Sequence, residues 1–482
     1  MKVLFIQKES NLLERLGVMY LSSALKLRGH RTKMILADRF SQKKFMAVVK
    51  SYAPDIIGYS AMNSEHRALL DINRGLKREL KFVSVFGGAH PTFCNDLIEE
   101  DGVDAVCVGE ADKAFPEFCQ RLEDREHYHD APNFIVKNGG SIIANRLSDL
   151  IEDLDALPFP DRELMYEADP LFLDRGVRSF LSSRGCVHEC AYCFNHQYNE
   201  IYKGKGNVIR YRSPGSLLRE IQEVRLKYGL QMAYICDDAF FLKPSGWFRE
   251  FSRSYKEHID IPLSCNIRAD NIDEATIASL KDAGLGVVFM GIECADEGIN
   301  NSVLRRNIRN EAILEAVRIL KKYNIKIVTL NILGLPIPNS YKTDISTLDF
   351  NIRMKPAFAR SSLMFPYPGT YIESCARSKG FLKIEKPYRE TYHSSTAFNF
   401  SKGEKRRIEN LHKLFCVIVN FPFLRRFSGL LCSLPLGLVY TPIFYFWYGY
   451  CYNSMVGLLP DKGSCRGMFG HARMWLKAVR KR

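Results

Sequence analysis

The sequence predicts an α/β protein built in series. A doubly wound parallel sheet is expected over residues 1–125, a second and longer strand–helix series over 176–400, and a helical tail over 401–482. Three observations predict it. Short apolar strands alternate with helical segments from the N-terminus onward, the pattern that parallel sheets require. The same rhythm returns after a tight group of cysteines, Cys186, Cys190 and Cys193. The tail changes character: Phe427 to Pro460 carries no charge, while residues 401–482 hold fourteen Lys/Arg against three Asp/Glu.

The 482 residues are too many for one ordinary core, so two or three domains are expected. The hydrophobic fraction of 46% and charged fraction of 25% are those of a globular protein. Fourteen cysteines with one close cluster fit a reducing cytosol better than a disulfide scaffold. The start, MKVLFIQKES, lacks the long apolar region of a signal peptide and reads as a first buried strand. The net charge of +14 belongs mostly to the tail, so nothing in the body asks for nucleic acid.

In the first part, strands are expected at Val3–Ile6, Thr32–Leu36, Asp55–Tyr59, Phe82–Phe86 and Ala105–Val108. Helices are expected at Leu16–Leu27, stopped by Arg28-Gly29, and at about Ser64–Leu80, Thr92–Glu99 and Phe115–Leu122. Ligands of such sheets bind at the carboxyl ends of the strands. Ser60, Gly87, Gly88, Gly109 and Glu110 stand there, and the glycines let a ligand approach the backbone. No G-x-G-x-x-G occurs, which gives a dinucleotide little support. Residues 126–175 form a connector: Asn133–Val136 and Ser141–Ile143 flank Asn138-Gly139-Gly140 as a hairpin, and the two prolines of LDALPFPDR stiffen the entry to the next domain.

The second part opens on the strand Arg178–Ser183 and Arg184-Gly185, followed by C-x3-C-x2-C with Tyr192 before the last cysteine. Thiolates so spaced can fold onto one iron–sulfur cubane and leave one iron free for a substrate. A zinc site would want a fourth ligand, from His188 or His196. Further strands are expected at Met232–Cys236, Leu263–Ile267, Gly286–Ile292, Lys326–Leu333 and Ala359–Phe365. Helices are expected at Ser216–Tyr228, Asp273–Asp282, Asn310–Tyr323 and Thr343–Met354.

The cysteine pattern with its aromatic residue resembles the radical S-adenosylmethionine (SAM) superfamily. The ordered segments LGVMYLSSALKLRGH, GYSAMNS, FGGAHPT and VCVGEAD resemble the Rossmann-like cobalamin (B12)-binding domain found before many radical SAM domains. The resemblance implies a partial (βα)6 TIM-type barrel, whose chemistry sits at the carboxyl ends of its strands. It also implies a [4Fe–4S] cluster on Cys186, Cys190 and Cys193, SAM, and cobalamin bound near Ser60, Gly87, Gly88, Gly109 and Glu110. The D-x-H-x-x-G motif for cobalt's lower ligand is missing, and His30, His66 and His90 do not sit in it. A B12-type fold kept only as scaffold is the alternative.

For SAM, the resemblance implies contacts from Tyr192 and Phe194 around the last cysteine, and from Asp237 or Asp238 to the α-ammonium. One of the two acids could instead cap the adjoining turn. Arg268 in CNIRAD could grip the carboxylate, Glu293 in Gly291-Ile292-Glu293 would lie near ribose or amino group, and Gly334 would admit the adenine. Glu293 could instead be an internal barrel salt bridge. The loop Ile337-Pro338-Asn339-Ser340 departs from the family pattern, whereas Phe365-Pro366-Tyr367-Pro368-Gly369-Thr370 follows it.

The activity implied is reductive cleavage of SAM to a 5′-deoxyadenosyl radical, with electrons from a flavodoxin- or ferredoxin-type donor. Cobalamin would turn that chemistry to C-methylation or carbon-skeleton modification. A cobalamin-free rearrangement, oxidation or cyclisation is the alternative, and a membrane-bound iron–sulfur carrier without turnover is the reading from another class. In the tail, Pro435 and Pro442 interrupt the uncharged run, aromatics crowd Tyr440–Tyr452, and cations flank it at Arg425-Arg426 and at Lys462, Arg466, Arg473, Lys477 and Arg480. An in-plane or re-entrant hairpin at the inner face of the membrane is expected, with a membrane-associated or lipidic substrate. A helical cap packed on the barrel is the alternative.

Overall fold

The computed structural model describes residues 1–9, 14–382 and 395–456. The chain forms two compact units: Met1–Asp174 with Gln197–Arg210, and Arg175–His196 with Tyr211 onward. Residues 126–174, expected to be a connector, thus belong to the first unit.

The first unit is a seven-stranded sheet. Its strands are β1 (Lys2–Gln7), β2 (Arg31–Leu36), β3 (Ile56–Ser60), β4 (Val83–Gly87), β5 (Ala105–Cys107), β6 (Phe134–Asn138) and β7 (Ser141–Ala144), in the order β2-β1-β3-β4-β5-β6-β7. The first five are parallel; the expected hairpin β6–β7 extends the sheet antiparallel. Val3, Leu4 and Ile6 of β1 are fully buried, because helices cover both faces of a central strand. Leu16–Leu27 is helical as expected. The expected helix Thr92–Glu99 is instead Ala89–Phe93 and a 3-10 turn at Asn95–Glu99, separated at Cys94, whose φ of −129° ends the helix. A helix at Gln42–Tyr52, with only Phe45 and Val49 buried, escaped the sequence pattern.

The second unit is a six-stranded parallel sheet, curved as an open barrel. Its strands are β8 (Val177–Phe180), β9 (Met232–Ile235), β10 (Leu263–Ile267), β11 (Leu285–Glu293), β12 (Lys326–Leu333) and β13 (Phe358–Leu363), paired in sequence order. Helices Pro214–Tyr228, Ser245–His258, Glu274–Asp282, Asn310–Lys322 and Ser340–Met354 return the chain between strands. The core between sheet and helices is dense in aromatics, including Trp247, Phe248 and Phe251.

The tail packs on this barrel. Helix Lys402–Asn420 buries Ile408, Leu411, Phe415 and Ile418 against Leu333, Leu348, Ala359 and Leu363. Helices Ser428–Ser433 and Gly437–Tyr450 come next along the chain. Among the described residues no helix is long and apolar enough to cross a membrane. Residues 457–460 of the uncharged run, and Lys462, Arg466, Arg473, Lys477 and Arg480, lie outside the described residues.

Candidate active site

The cysteine loop leaves β8 and is pinned by backbone bonds: Ala191 N–H donates to Leu304 O at 2.9 Å, and Ile372 N–H to Ala191 O at 3.0 Å. Burial pushes the Cys193 thiol up to about 12 and raises Cys186; Asp238 and Cys190 add to both shifts, and Cys186 adds to that of Cys193. The backbone N–H groups of His188 and Asn195 donate to Cys186 and Cys193 and oppose the shifts. Charge on one thiol thus acts on another, with backbone donors aimed at two of them. Bound iron would favour their thiolates. The C-x3-C-x2-C spacing fits a cluster of three cysteine ligands, while among the described residues no three ligating side chains are already gathered at a metal position. His188 bonds the Asn271 amide through Nε2 at 3.0 Å and His196 the Cys193 carbonyl through Nδ1 at 2.7 Å.

The two neighbouring carboxylates separate in role. Asp237 is fully buried and accepts from Ser182 N–H (2.7 Å), Ser183 N–H (3.1 Å), Ser183 Oγ (2.7 Å), Ser182 Oγ and Lys243 Nζ (2.9 Å). Its oxygens are saturated by the chain itself. Asp238 is open to solvent at the strand end, bonds the Asn195 side chain and acts on the charge of Cys186 and Cys193. Of the pair, Asp238 is the one the fold leaves available to a ligand.

Arg268 extends Nη1 to 3.8 Å from the Cys190 sulfur. Its Nε and Nη2 grip Asp270 at 2.7 and 3.0 Å, and Nη2 also reaches the Arg306 carbonyl. The paired grip expected for a SAM carboxylate is therefore spent on Asp270. Glu293 is buried with φ 62°, a left-handed conformation rare for a side-chain-bearing residue, and the β11–β12 register shifts there. Burial raises its carboxyl, while Arg306 and a hydrogen bond from Tyr192 hold it down. Glu293 is thus held inside the barrel by Tyr192 and by the charge of Arg306.

Arg306 is the residue that sequence reasoning missed. It is buried, donates Nη1 to Gly291 O at 2.9 Å, and its charge acts with Glu293, Tyr192 and Cys190. No motif marked it, since it lies thirteen positions beyond the strand that it completes. Val187, His188, Arg268, Asp270, Arg305 and Arg306 border a cleft of about 290 Å³. Phe194 is exposed beside the loop. Gly334 N–H donates to both Asp344 oxygens at 3.1 Å, and a Cβ there would lie 3.0 Å from Ile408. The close approach at Gly334 is thus made by the tail helix.

In the first unit, Ser60, Gly87-Gly88 and Gly109-Glu110 gather at the carboxyl ends of β3, β4 and β5. Gly88 has φ 96°, and a Cβ would meet Ala61 O at 3.1 Å and Ser60 Oγ at 3.2 Å. Both polar atoms of the fully buried Gln7 side chain, at the end of β1, lack a partner among the described residues, as does Asn63 Nδ2. Buried amides without partners are rare and suit a polar ligand. These features fit a cobalamin.

Gly109 and Glu110 tell a different story. A Cβ on Gly109 (φ 77°) would lie 2.0 Å from Tyr202 Oη. Glu110 bonds Arg210 at 2.8 Å and the Ile151 N–H at 3.0 Å. Both are engaged by their own unit. His66 and His90 stack at 3.8 Å beside Asn63, and burial lowers His90 to about 3, so it is neutral. His30 instead contacts the N-terminal amine at the opposite end of the sheet.

Residues 180–341 match the radical SAM superfamily, and residues 6–119 match the B12 binding domain. An uncharacterized methyltransferase of Pyrococcus horikoshii is 26% identical over 378 residues, spanning 76% of this chain and 79% of that protein. The hopanoid C-3 methylase of Methylococcus capsulatus is 21% identical over 373 residues, spanning 74% and 68%. In fold, the chain is similar to the cobalamin-dependent SAM radical enzyme OxsB with aqua-cobalamin bound: TM-score 0.71, 14% identity, 100% of this chain and 79% of that one. With the cysteine loop, the open barrel and the B12-type sheet in place, these matches identify the chain as a radical SAM enzyme with an N-terminal B12-binding domain, a [4Fe–4S] cluster and SAM as its cofactors and cobalamin as the ligand of that domain.

Proposed function

We propose that the chain is a cobalamin-dependent radical SAM enzyme that C-methylates, or otherwise modifies the carbon skeleton of, a membrane-associated or lipidic small molecule. The observation that carries the first half is the presence in one chain of a C-x3-C-x2-C loop at the end of the first barrel strand and a B12-type sheet with buried amides open to a ligand. The lipidic half is supported by the uncharged run Phe427 to Pro460 within the basic tail and by the hopanoid methylase among the relatives.

When bound, cluster and SAM supply a carbon-centred radical and cobalamin a transferable methyl group. The chain's own residues bind and orient. Cys186, Cys190 and Cys193 hold iron. Asp238 takes the α-ammonium of SAM, because Asp237 is consumed in holding Lys243 and the Ser182-Ser183 turn. Arg268 and Arg306 set positive charge beside Cys190, with Tyr192 and Glu293 fixing Arg306. Gln7, Asn63 and the Gly88 backbone receive polar groups of the corrinoid. Electrons come from a low-potential flavodoxin- or ferredoxin-type donor.

The test is anaerobic reconstitution with and without cobalamin, reading 5′-deoxyadenosine and transfer of label from methyl-labelled SAM. Cobalamin-dependent methyl transfer is expected. A cobalamin-free radical rearrangement is the second reading, favoured by Gly109 and Glu110 being engaged by Tyr202 and Arg210. 5′-Deoxyadenosine without any corrinoid retention would select it.

A further inference from the structure

Helix Gly437–Tyr450 contains no charged residue, and at about 100° per residue its side chains divide into two faces. Tyr440, Phe444, Trp447 and Tyr448 turn inward. Tyr440 Oη donates to Leu431 O at 3.1 Å, Trp447 Nε1 donates to Asn420 Oδ1 at 3.1 Å, and Tyr448 meets Phe358 of β13 edge-on at 4.9 Å. Leu438, Val439, Ile443, Phe446 and Tyr450 fall within an arc of about 140° on the other side. Leu438 is 83% exposed and Phe446 66%. Phe423 and Leu430, on the preceding turns, add to the exposed apolar surface at 61% and 63%. A helix apolar all round is normally covered all round, and an exposed patch of this kind marks an interaction site.

We propose that this outer face docks on an anionic phospholipid bilayer, lying in its plane. The inference rests on the reading of a membrane-associated substrate and names the surface that reaches it. Charge selects the occupant. Arg406 and Arg407 are tied to Ser433, and Lys413 to the Gly437 carbonyl at 3.0 Å, so cations ring the start of the apolar face. Arg426 lies over Phe427. From Asn410 to Pro460 the sequence has no Asp or Glu. A second copy would bring the same cations against these, and residues 461–482 are themselves basic; anionic headgroups complement them. Among the described residues no helix is long and apolar enough to cross a bilayer, and Pro442 interrupts this one, so the face inserts without crossing.

The experiment uses the full-length reconstituted protein and vesicles of phosphatidylcholine with or without phosphatidylglycerol. Co-sedimentation with the anionic vesicles is expected, and the pair Leu438→Asp and Phe446→Asp, both at solvent-exposed positions, lowers it more than tenfold while SAM cleavage is kept. Replacing Arg406, Arg407 and Lys413 by Gln removes most of the preference for phosphatidylglycerol. Should the Asp pair misfold, Leu438→Trp keeps the face apolar, and its fluorescence is quenched by lipids brominated on the acyl chain. Wild-type protein that sediments while the Asp pair sediments equally, or a Leu438→Trp that is not quenched, overturns this face and leaves the membrane reading intact. Wild-type protein that stays in solution overturns both. A dimer in light scattering that the Asp pair dissolves makes the face a copy–copy interface and overturns the lipid assignment.

Discussion

Asp237 and Asp238 are adjacent in sequence, yet the structure predicts opposite consequences for removing their charges. Asp237→Asn leaves Lys243, itself without exposed side chain, facing a neutral amide. Burial already lowers the Lys243 pKa, and Asp237 is what opposes that shift. The new NH2 group must also point at hydroxyl or ammonium donors. Breaking a buried pair from one side costs about 3–5 kcal/mol, and the Ser182-Ser183 turn that delivers the cysteine loop is lost with it. Asp238→Asn removes a solvent-open carboxylate and should cost under about 1 kcal/mol in stability. Its effect falls on SAM: losing a charge-assisted bond costs about 1.5–3 kcal/mol, on the order of 10- to 100-fold in affinity. Urea melts and equilibrium dialysis of labelled SAM with the reconstituted variants read the two effects. An Asp238→Asn enzyme with unchanged SAM affinity, or an Asp237→Asn enzyme as stable as wild type, would refute the division of roles.

Further outcomes are expected from the same physics. Gln7→Leu should stabilise the cobalamin-free protein by about 1–3 kcal/mol, because an unpartnered buried amide is removed, and should weaken corrinoid retention, read by absorbance after gel filtration. Burial pushes the Asp344 carboxyl well above its ordinary value, with the Gly334 N–H opposing. The folded state then binds that proton more tightly than the unfolded chain, so its contribution to stability falls as pH rises above about 4. Asp344→Asn should therefore gain on the wild type in thermal melts as pH rises, and a difference independent of pH would contradict this. Phe415→Ala, at a fully buried position of the tail helix, should cost about 3–5 kcal/mol. Truncation after Ser401 should destabilise the barrel, seen as a lowered and broadened unfolding transition by circular dichroism.

The tail is also where the sequence was least legible. Strands such as Leu263–Ile267 and Lys326–Leu333, and helix Leu16–Leu27, were legible to the residue because apolar runs there end at polar or glycine punctuation. The cysteine loop was legible from spacing alone. In the tail, charge dominated the pattern, and the domain boundary fell where the barrel motifs end. Yet Ile408, Leu411, Phe415 and Ile418 repeat at helical spacing and close the barrel wall, so the tail is both a packed cap and an exposed apolar face. Partners distant in sequence were not legible. Nothing local tells that Asp237 rather than Asp238 meets Lys243, that Arg268 is held by Asp270, or that Tyr202 fills the space at Gly109. Nor does anything local tell that Arg306, thirteen positions beyond β11, donates to the Gly291 carbonyl where the β11 register shifts.

The central claim is that Cys186, Cys190 and Cys193 hold the cluster at which SAM is cleaved. Iron and sulfide content together with 5′-deoxyadenosine formation, measured on the anaerobically reconstituted wild type and on the triple Cys→Ala variant, tests it most directly. About four irons per chain, as a [4Fe–4S] cluster requires, and reductant-dependent 5′-deoxyadenosine are expected in the wild type, with neither in the variant. A triple variant that still cleaves SAM would contradict it.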